Sequence, residues 1–218
     1  MNRPLLLGHR GVRGLKSIRE NTIAAFDRAI ADGCDGFEFD VRLTRDGVAV
    51  IWHDTKMRLI KIAHATAAKL SRLPQLQEVL VRYQNTAFLN IELKVAGVEE
   101  LTVKLLRQHP PRRGCVISSF LPEVLRSLHA LDPQIALGMI CEKESQLSVW
   151  DKLPIDYVMV DRKLVSRDVL EQLKTRSKRV FVWTVNDAEE MQRLAELGLD
   201  GIISDKTALL CQTLRPGT

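Results

Sequence analysis

The chain alternates short apolar runs with amphipathic stretches from one end to the other, and no Ser-, Gly- or Pro-rich linker breaks the rhythm over its 218 residues. The apolar runs read as β-strands over residues 5–9, 36–43, 87–93, 115–118, 135–140, 156–160, 180–184 and 201–203. Between them lie helical patterns near 75–83, 98–108, 122–130, 166–174 and 187–197, and a first helix that Asn21 can cap, with Ile23, Ala24, Phe26, Ala29 and Ile30 on one side. Gly33 and Gly198 mark helix ends just ahead of a strand. Eight strands alternating with helices in so short a chain predict an α/β fold, a (β/α)8 TIM barrel, as one domain over 1–218. The rival is a doubly wound open sheet, which usually carries a glycine-rich phosphate loop after its first strand. Here that turn is His9-Arg10-Gly11-Val12-Arg13-Gly14, too bulky and charged for the purpose.

One irregularity interrupts the alternation. After Glu38-Phe39-Asp40 the extended pattern continues through Leu43, Arg45-Asp46-Gly47 reads as a hairpin turn, and 48–52 runs back. A β-hairpin extension of this kind after the second strand carries His53 back toward Asp40. Active sites of such barrels lie at the C-terminal ends of the strands, where His9, Asp40 and Lys94 fall.

Four short clusters concentrate the chemistry: His9-Arg10-Gly11, Glu38-Phe39-Asp40, His53-Asp54 and Glu92-Leu93-Lys94. Side chains two apart on a strand share a face, so Glu38 and Asp40 point one way, as do Glu92 and Lys94, while Phe37, Phe39 and Val41 form the opposite apolar face. Charge buried without partners costs many kcal/mol, and a divalent cation together with a phosphate would supply those partners. Carboxylate oxygens suit a hard ion. Arg10 can grip a phosphate in two prongs, Lys94 adds a point charge, and two imidazoles that titrate near neutrality can take and give protons.

Composition narrows the alternatives. Aromatic residues make up 5% of the chain and the net charge of +5 reads as dispersed, which argues against nucleic acid as a partner. The apolar runs are too short for a membrane span, so no stable membrane insertion is expected, and a cytoplasmic location follows from an N-terminus without signal-peptide character. Cys34, Cys115, Cys141 and Cys211 are scattered and lie in or near apolar segments, as buried free thiols do. Oligomeric state stays open between monomer and homodimer.

Gly8-His9-Arg10-Gly11, Glu20-Asn21-Thr22, Gly36-Phe37-Glu38-Phe39-Asp40-Val41, Asp46-Gly47, His53-Asp54 and Asn90-Ile91-Glu92-Leu93-Lys94 resemble, in order and spacing, the signature of glycerophosphodiester phosphodiesterases. Later matches are Ser118-Ser119-Phe120, Trp183-Thr184-Val185-Asn186 and Gly201-Ile202-Ile203-Ser204-Asp205. The resemblance implies metal-dependent cleavage of a small-molecule glycerophosphodiester to glycerol 3-phosphate and an alcohol. It also implies one divalent cation, Mg2+ or Ca2+, on Glu38, Asp40 and Glu92, with His9 and His53 as the acid–base pair and Arg10 and Lys94 at the phosphate. Trp183 is read as a substrate wall or as core. Either histidine can be base or acid, with His9 preferred as base. The neighbouring glycerol hydroxyl is expected to attack phosphorus, and water to open the cyclic phosphate afterwards.

Two departures stand out. Arg19 occupies a position where the family commonly has Pro, behind a basic loop over 12–19, and the segment between Asp54 and Glu92 looks trimmed of a piece that encloses the glycerol end in relatives. A more open site raises the alternative of larger lipids, as in lysophospholipase D and sphingomyelinase D enzymes.

Overall fold

Parallel pairing between successive apolar runs closes them into a ring. In this computed structural model, which describes residues 3–215, β1 (Leu5–Gly8) lies between β2 (Gly36–Leu43) and β11 (Gly201–Ser204). The ring is completed through β6 (Phe88–Leu93), β7 (Cys115–Ser119), β8 (Leu137–Cys141), β9 (Tyr157–Asp161) and β10 (Arg179–Trp183), in the order β1-β11-β10-β9-β8-β7-β6-β2 and back to β1. The result is the expected closed barrel of eight parallel strands. The outermost residues of the single expected domain, 1–2 and 216–218, lie outside the described residues.

Helices α1 (Ile23–Ala31), α2 (Leu76–Tyr83), α3 (Glu99–Gln108), α4 (Pro122–Leu131), α5 (Glu144–Leu147), α6 (Arg167–Thr175), α7 (Ala188–Glu196) and α8 (Thr207–Leu214) connect and flank the strands. The cap of α1 is Thr22, whose hydroxyl accepts from the Ala25 N–H, and not Asn21 as the sequence suggested. Asn21 sits one residue too early, in the left-handed region at φ 56°, with its amide turned into the barrel mouth. Gly33 and Gly198, at φ 98° and 69°, end the turns after α1 and α7 where a Cβ would strain the backbone.

The larger core fills the layer between barrel and helices. Phe26 of α1 stacks on Phe37 of β2 with ring centroids 4.3 Å apart, and Tyr83 of α2 meets Phe37 edge-on at 4.9 Å. Inside the barrel Leu7, Phe88, Val116, Tyr157, Met159 and Phe181 pack against one another. This apolar plug leaves only the mouth at the C-terminal strand ends for polar chemistry.

Above β2 the chain departs from the repeating unit. Leu43 pairs with Ala49 and Val41 with Ile51, so β3 (Ala49–Ile51) runs antiparallel on the upper part of β2. A two-stranded ribbon of β4 (Lys56–Met57) and β5 (Ile60–Lys61) follows, then two short 3-10 turns at Ile62–His64 and Ala67–Leu70. Val50, Ile62, Leu70 and Leu73 hold this addition to the barrel through a small apolar cluster of its own.

Candidate active site

The register of adjacent strands creates the carboxylate cluster. In the β2–β6 pair Asp40 lies opposite Glu92, and Glu38 shares the face of Asp40 two residues earlier. Glu38, Asp40 and Glu92 are all buried, and one oxygen of each lies within 4.8 Å of the others. Among the described residues Glu38 Oε1 has no hydrogen-bond donor, and Asp40 Oδ1 has only the Lys94 ammonium at 3.5 Å, although the two residues are 5% and 1% exposed. Buried carboxylate oxygens without a partner are costly. Three converging hard oxygens with spare lone pairs fit a divalent cation such as Mg2+ or Ca2+.

Electrostatics separates the three acids. Burial, with Asp40 and Glu92 close by, pushes the Glu38 carboxyl well above the ordinary range. Burial and then the Asp40 charge raise Glu92 to about 7. Burial would raise Asp40 too, but Lys94, Arg10 and the Asn21 amide outweigh it and hold Asp40 below its ordinary value. Asn21 Nδ2 donates to Asp40 Oδ2 at 2.7 Å, and Arg10 Nε approaches the same oxygen at 3.2 Å. Lys94 Nζ is 2.7 Å from Glu92 Oε1 and 3.5 Å from Asp40 Oδ1.

His9 and Arg10 leave the end of β1 directly over this cluster. The Arg10 N–H donates to Glu38 Oε2 at 2.9 Å, and its guanidinium reaches Glu20 Oε1 at 2.7 Å. His9 Nε2 stands 3.8 Å from Glu38 Oε2, while Nδ1 is 2.7 Å from Asp205 Oδ1. The Asp205 carboxyl is held at about 2, where against the upward push of burial its hydrogen bond to His9 dominates, so it can only accept and Nδ1 carries the proton. Nε2 is then a free lone pair facing the carboxylates. Burial keeps this imidazole below its ordinary value despite Asp205, favouring the neutral ring.

His53 follows β3. The Trp52 N–H donates to the Asp40 carbonyl at 2.9 Å, which brings the next residue to the mouth, and His53 Nδ1 lies 2.8 Å from Asp54 Oδ1. A cavity of about 290 Å3 is lined by the polar side chains of His9, Arg10, Glu38, His53, Glu92 and Lys94. Phe120, Ile140, Met159 and Trp183 add apolar surface to the same lining. Trp183 is half-buried, donates Nε1–H to the Met159 carbonyl at 3.2 Å and meets Phe120 edge-on at 6.0 Å, so it belongs to the wall of the mouth. All eight sequence-designated residues gather here, Asp40 beneath the cavity and the other seven lining it. Asp205 and Asn21 gave no local signal for their roles. Their partners lie 196 and 19 residues away, although Asp205 does sit at a strand end inside a matched motif.

Comparison with known proteins decides the lineage. The model of the glycerophosphoryl diester phosphodiesterase family matches residues 9–209. The chain belongs to that family. Among its relatives is a glycerophosphodiester phosphodiesterase of Caldanaerobacter subterraneus subsp. tengcongensis, 29% identical, with 98% of each chain covered. Another, from Bacillus altitudinis, is 28% identical over 92% of this chain and 94% of its own. A phosphodiesterase of Oleispira antarctica, solved in complex with the product sn-glycerol-3-phosphate, superposes with a TM-score of 0.86 at 26% identity, covering 97% of this chain and 96% of its own. None of these names supports the larger-lipid alternative. Among the described residues no helix is long and apolar enough to cross a membrane.

Proposed function

We propose that this protein hydrolyses glycerophosphodiesters to glycerol 3-phosphate and an alcohol, with a divalent cation on Glu38, Asp40 and Glu92 and with His9 and His53 as the proton-transfer pair. The convergence of three buried carboxylates within 4.8 Å, under a cavity lined by both imidazoles, carries the reading. A cation held there would supply Lewis-acid stabilisation of charge on a phosphoryl oxygen.

The side chains provide the rest. Lys94 and the Arg10 guanidinium neutralise the bound phosphodiester and orient it. Neutral His9, its Nδ1–H fixed by Asp205, takes the proton of the adjacent glycerol hydroxyl at Nε2 as that oxygen attacks phosphorus. The bond from phosphorus to the alcohol oxygen breaks, and protonated His53 gives that oxygen its proton. In the second half His53, now neutral, takes a proton from water as water attacks the cyclic phosphate. Protonated His9 returns its proton to the glycerol oxygen as the ring opens. Both imidazoles end as they began.

The test is release of glycerol 3-phosphate from glycerophosphocholine in chelator, followed by adding back Mg2+ or Ca2+. Turnover that chelator abolishes and either ion restores is expected. Undiminished turnover in excess chelator would overturn the metal assignment, and release of free phosphocholine in place of glycerol 3-phosphate would overturn the bond assignment.

A further inference from the structure

The excess positive charge of the chain is not spread over the molecule. Residues 11–19 and 55–77 together hold eight of the 32 Lys and Arg and none of the 27 Asp and Glu. The remaining 24 cations stand against all 27 acids, so without these two segments the protein is net negative. Both segments start at residues of the mouth. The first follows His9 and Arg10, and the second follows His53 and Asp54. They meet at Trp52, whose ring lies under the Arg19 guanidinium at 4.4 Å and whose Nε1–H donates to the Lys56 carbonyl at 2.9 Å.

Lys16, Arg19, Lys56, Arg58 and Lys61 are exposed, and among the described residues none of them makes an ion pair. Between Arg58 and Ile60, at the tip of the β4–β5 ribbon, Leu59 is 97% exposed. Leu15, between Gly14 and Lys16 in the other segment, is 39% exposed. Met57 and Ile60 anchor the ribbon in the apolar cluster below, so the tip is held outward. Ribbon tips ordinarily carry Asn and Gly. A fully exposed leucine gains nothing in the folded protein, and it gains when transferred to an apolar phase.

We infer that these two segments form a docking face for a lipid bilayer with anionic headgroups, placing the cavity mouth against the membrane surface. Cations attract the negative leaflet, and Leu59 enters the boundary between headgroups and acyl chains. The charge alone would suit any polyanion. The leucine at the ribbon tip selects lipid, since a phosphate backbone offers it nothing. None of these five cations, nor Leu59, touches the carboxylate–histidine set, so docking is separable from catalysis.

The experiment is co-sedimentation of the full chain with vesicles of phosphatidylcholine alone or with about one third phosphatidylglycerol. Binding to the anionic vesicles only, and its loss in high salt, is expected. Arg58→Glu and Lys61→Glu should each weaken the partition at least about fivefold, the factor one basic residue contributes near an anionic leaflet. Leu59→Glu should do the same, and all three should keep their melting temperatures and their turnover of a soluble glycerophosphodiester. Failure of the parent protein to sediment with anionic vesicles would overturn the inference. So would binding indifferent to Leu59→Glu, or duplex DNA competing the protein off the vesicles at equal phosphate concentration.

Discussion

His9 Nδ1 and Asp205 Oδ1 lie 2.7 Å apart, and this contact joins the first barrel strand to the last. Asp205 is itself held by Asn186 Nδ2 at 2.7 Å and Arg13 Nη1 at 3.1 Å, so it cannot turn away. Its carboxylate fixes the His9 tautomer that leaves Nε2 able to accept a proton. Asp205→Asn keeps the shape and removes the constraint, since an amide can present either a donor or an acceptor to Nδ1. We expect kcat to fall on the order of 10²- to 10⁴-fold with little change in KM. Burial, no longer opposed by Asp205, should lower the His9 pKa further and move the acidic limb of the pH–rate profile to lower pH. An unchanged limb and a kcat within threefold would remove Asp205 from the positioning of His9.

The assignment of base to His9 and acid to His53 predicts a dependence on the leaving group. An aryl alcohol departs without a proton, whereas an alkyl alcohol needs one. His53→Ala should therefore lose at least about 100-fold on glycerophosphocholine, and much less on an ester of p-nitrophenol. His9→Ala should fall on both substrates, because attack is impaired whichever group leaves. The reverse pattern in single-turnover measurements would exchange the two roles.

The acids of the cluster predict how cation, pH and stability are linked. Glu92 rises from an ordinary 4.5 to about 7 through burial and then the Asp40 charge, and burial likewise raises Glu38. Without cation the folded protein therefore holds protons that the unfolded chain has already released above pH 4.5. Its stability falls as pH climbs from there through about 7, by about 3 kcal/mol for Glu92 alone. His9, held below 6.5, pulls the other way in the same window. The carboxylate share is thus the difference between the parent protein and Glu92→Gln. In chelator, Glu92→Gln should be the more stable of the two at pH 8 and lose that advantage by pH 5. Saturating Mg2+ or Ca2+ should raise the melting temperature of the parent and leave the variant nearly unmoved. Calorimetry showing parallel pH curves in chelator would sink this account.

Much of the fold was legible because two periods in the sequence rarely conflict. The β2 run over Gly36–Leu43 matches its sequence reading to the residue, and α4 and α6 begin and end within one residue of theirs. The carboxylate cluster was legible for the same reason, since spacing by two puts Glu38 beside Asp40. Contacts set by closure of the ring were not. Asp205 meets His9 only because β11 returns to β1, and the matched motif around residue 205 marks a strand end without naming the partner 196 residues away. Asn21 looked like a helix cap because its residue type serves that purpose equally well, and Thr22 beside it took the position. The β4–β5 ribbon escaped notice because Lys56, Arg58 and Lys61 break the apolar pattern and its turn is Arg58-Leu59. Its residues answer to the surface and not to the core.

Asn21 offers the most selective test of how the second layer supports the cluster. It is 2% exposed, donates to Asp40 Oδ2 at 2.7 Å and sits at φ 56°, a conformation that Asn and Asp tolerate better than most residues. Asn21→Asp therefore spares the backbone while replacing a donor to Asp40 with a second acceptor of like charge. Asp40 should then be protonated more easily, and cation affinity should drop on the order of 10- to 100-fold, as for other partners of ligating carboxylates. Because the variant leaves His9, His53 and Arg10 in place, saturating Mg2+ or Ca2+ should recover most of its kcat. Calorimetric titration of each cation gives the affinity, and turnover at increasing cation gives the recovery. Parent-like affinity would show that the Asn21 amide supports the turn alone. Weak affinity with no recovery at saturation would show that it also holds Asp40 in the geometry the reaction needs.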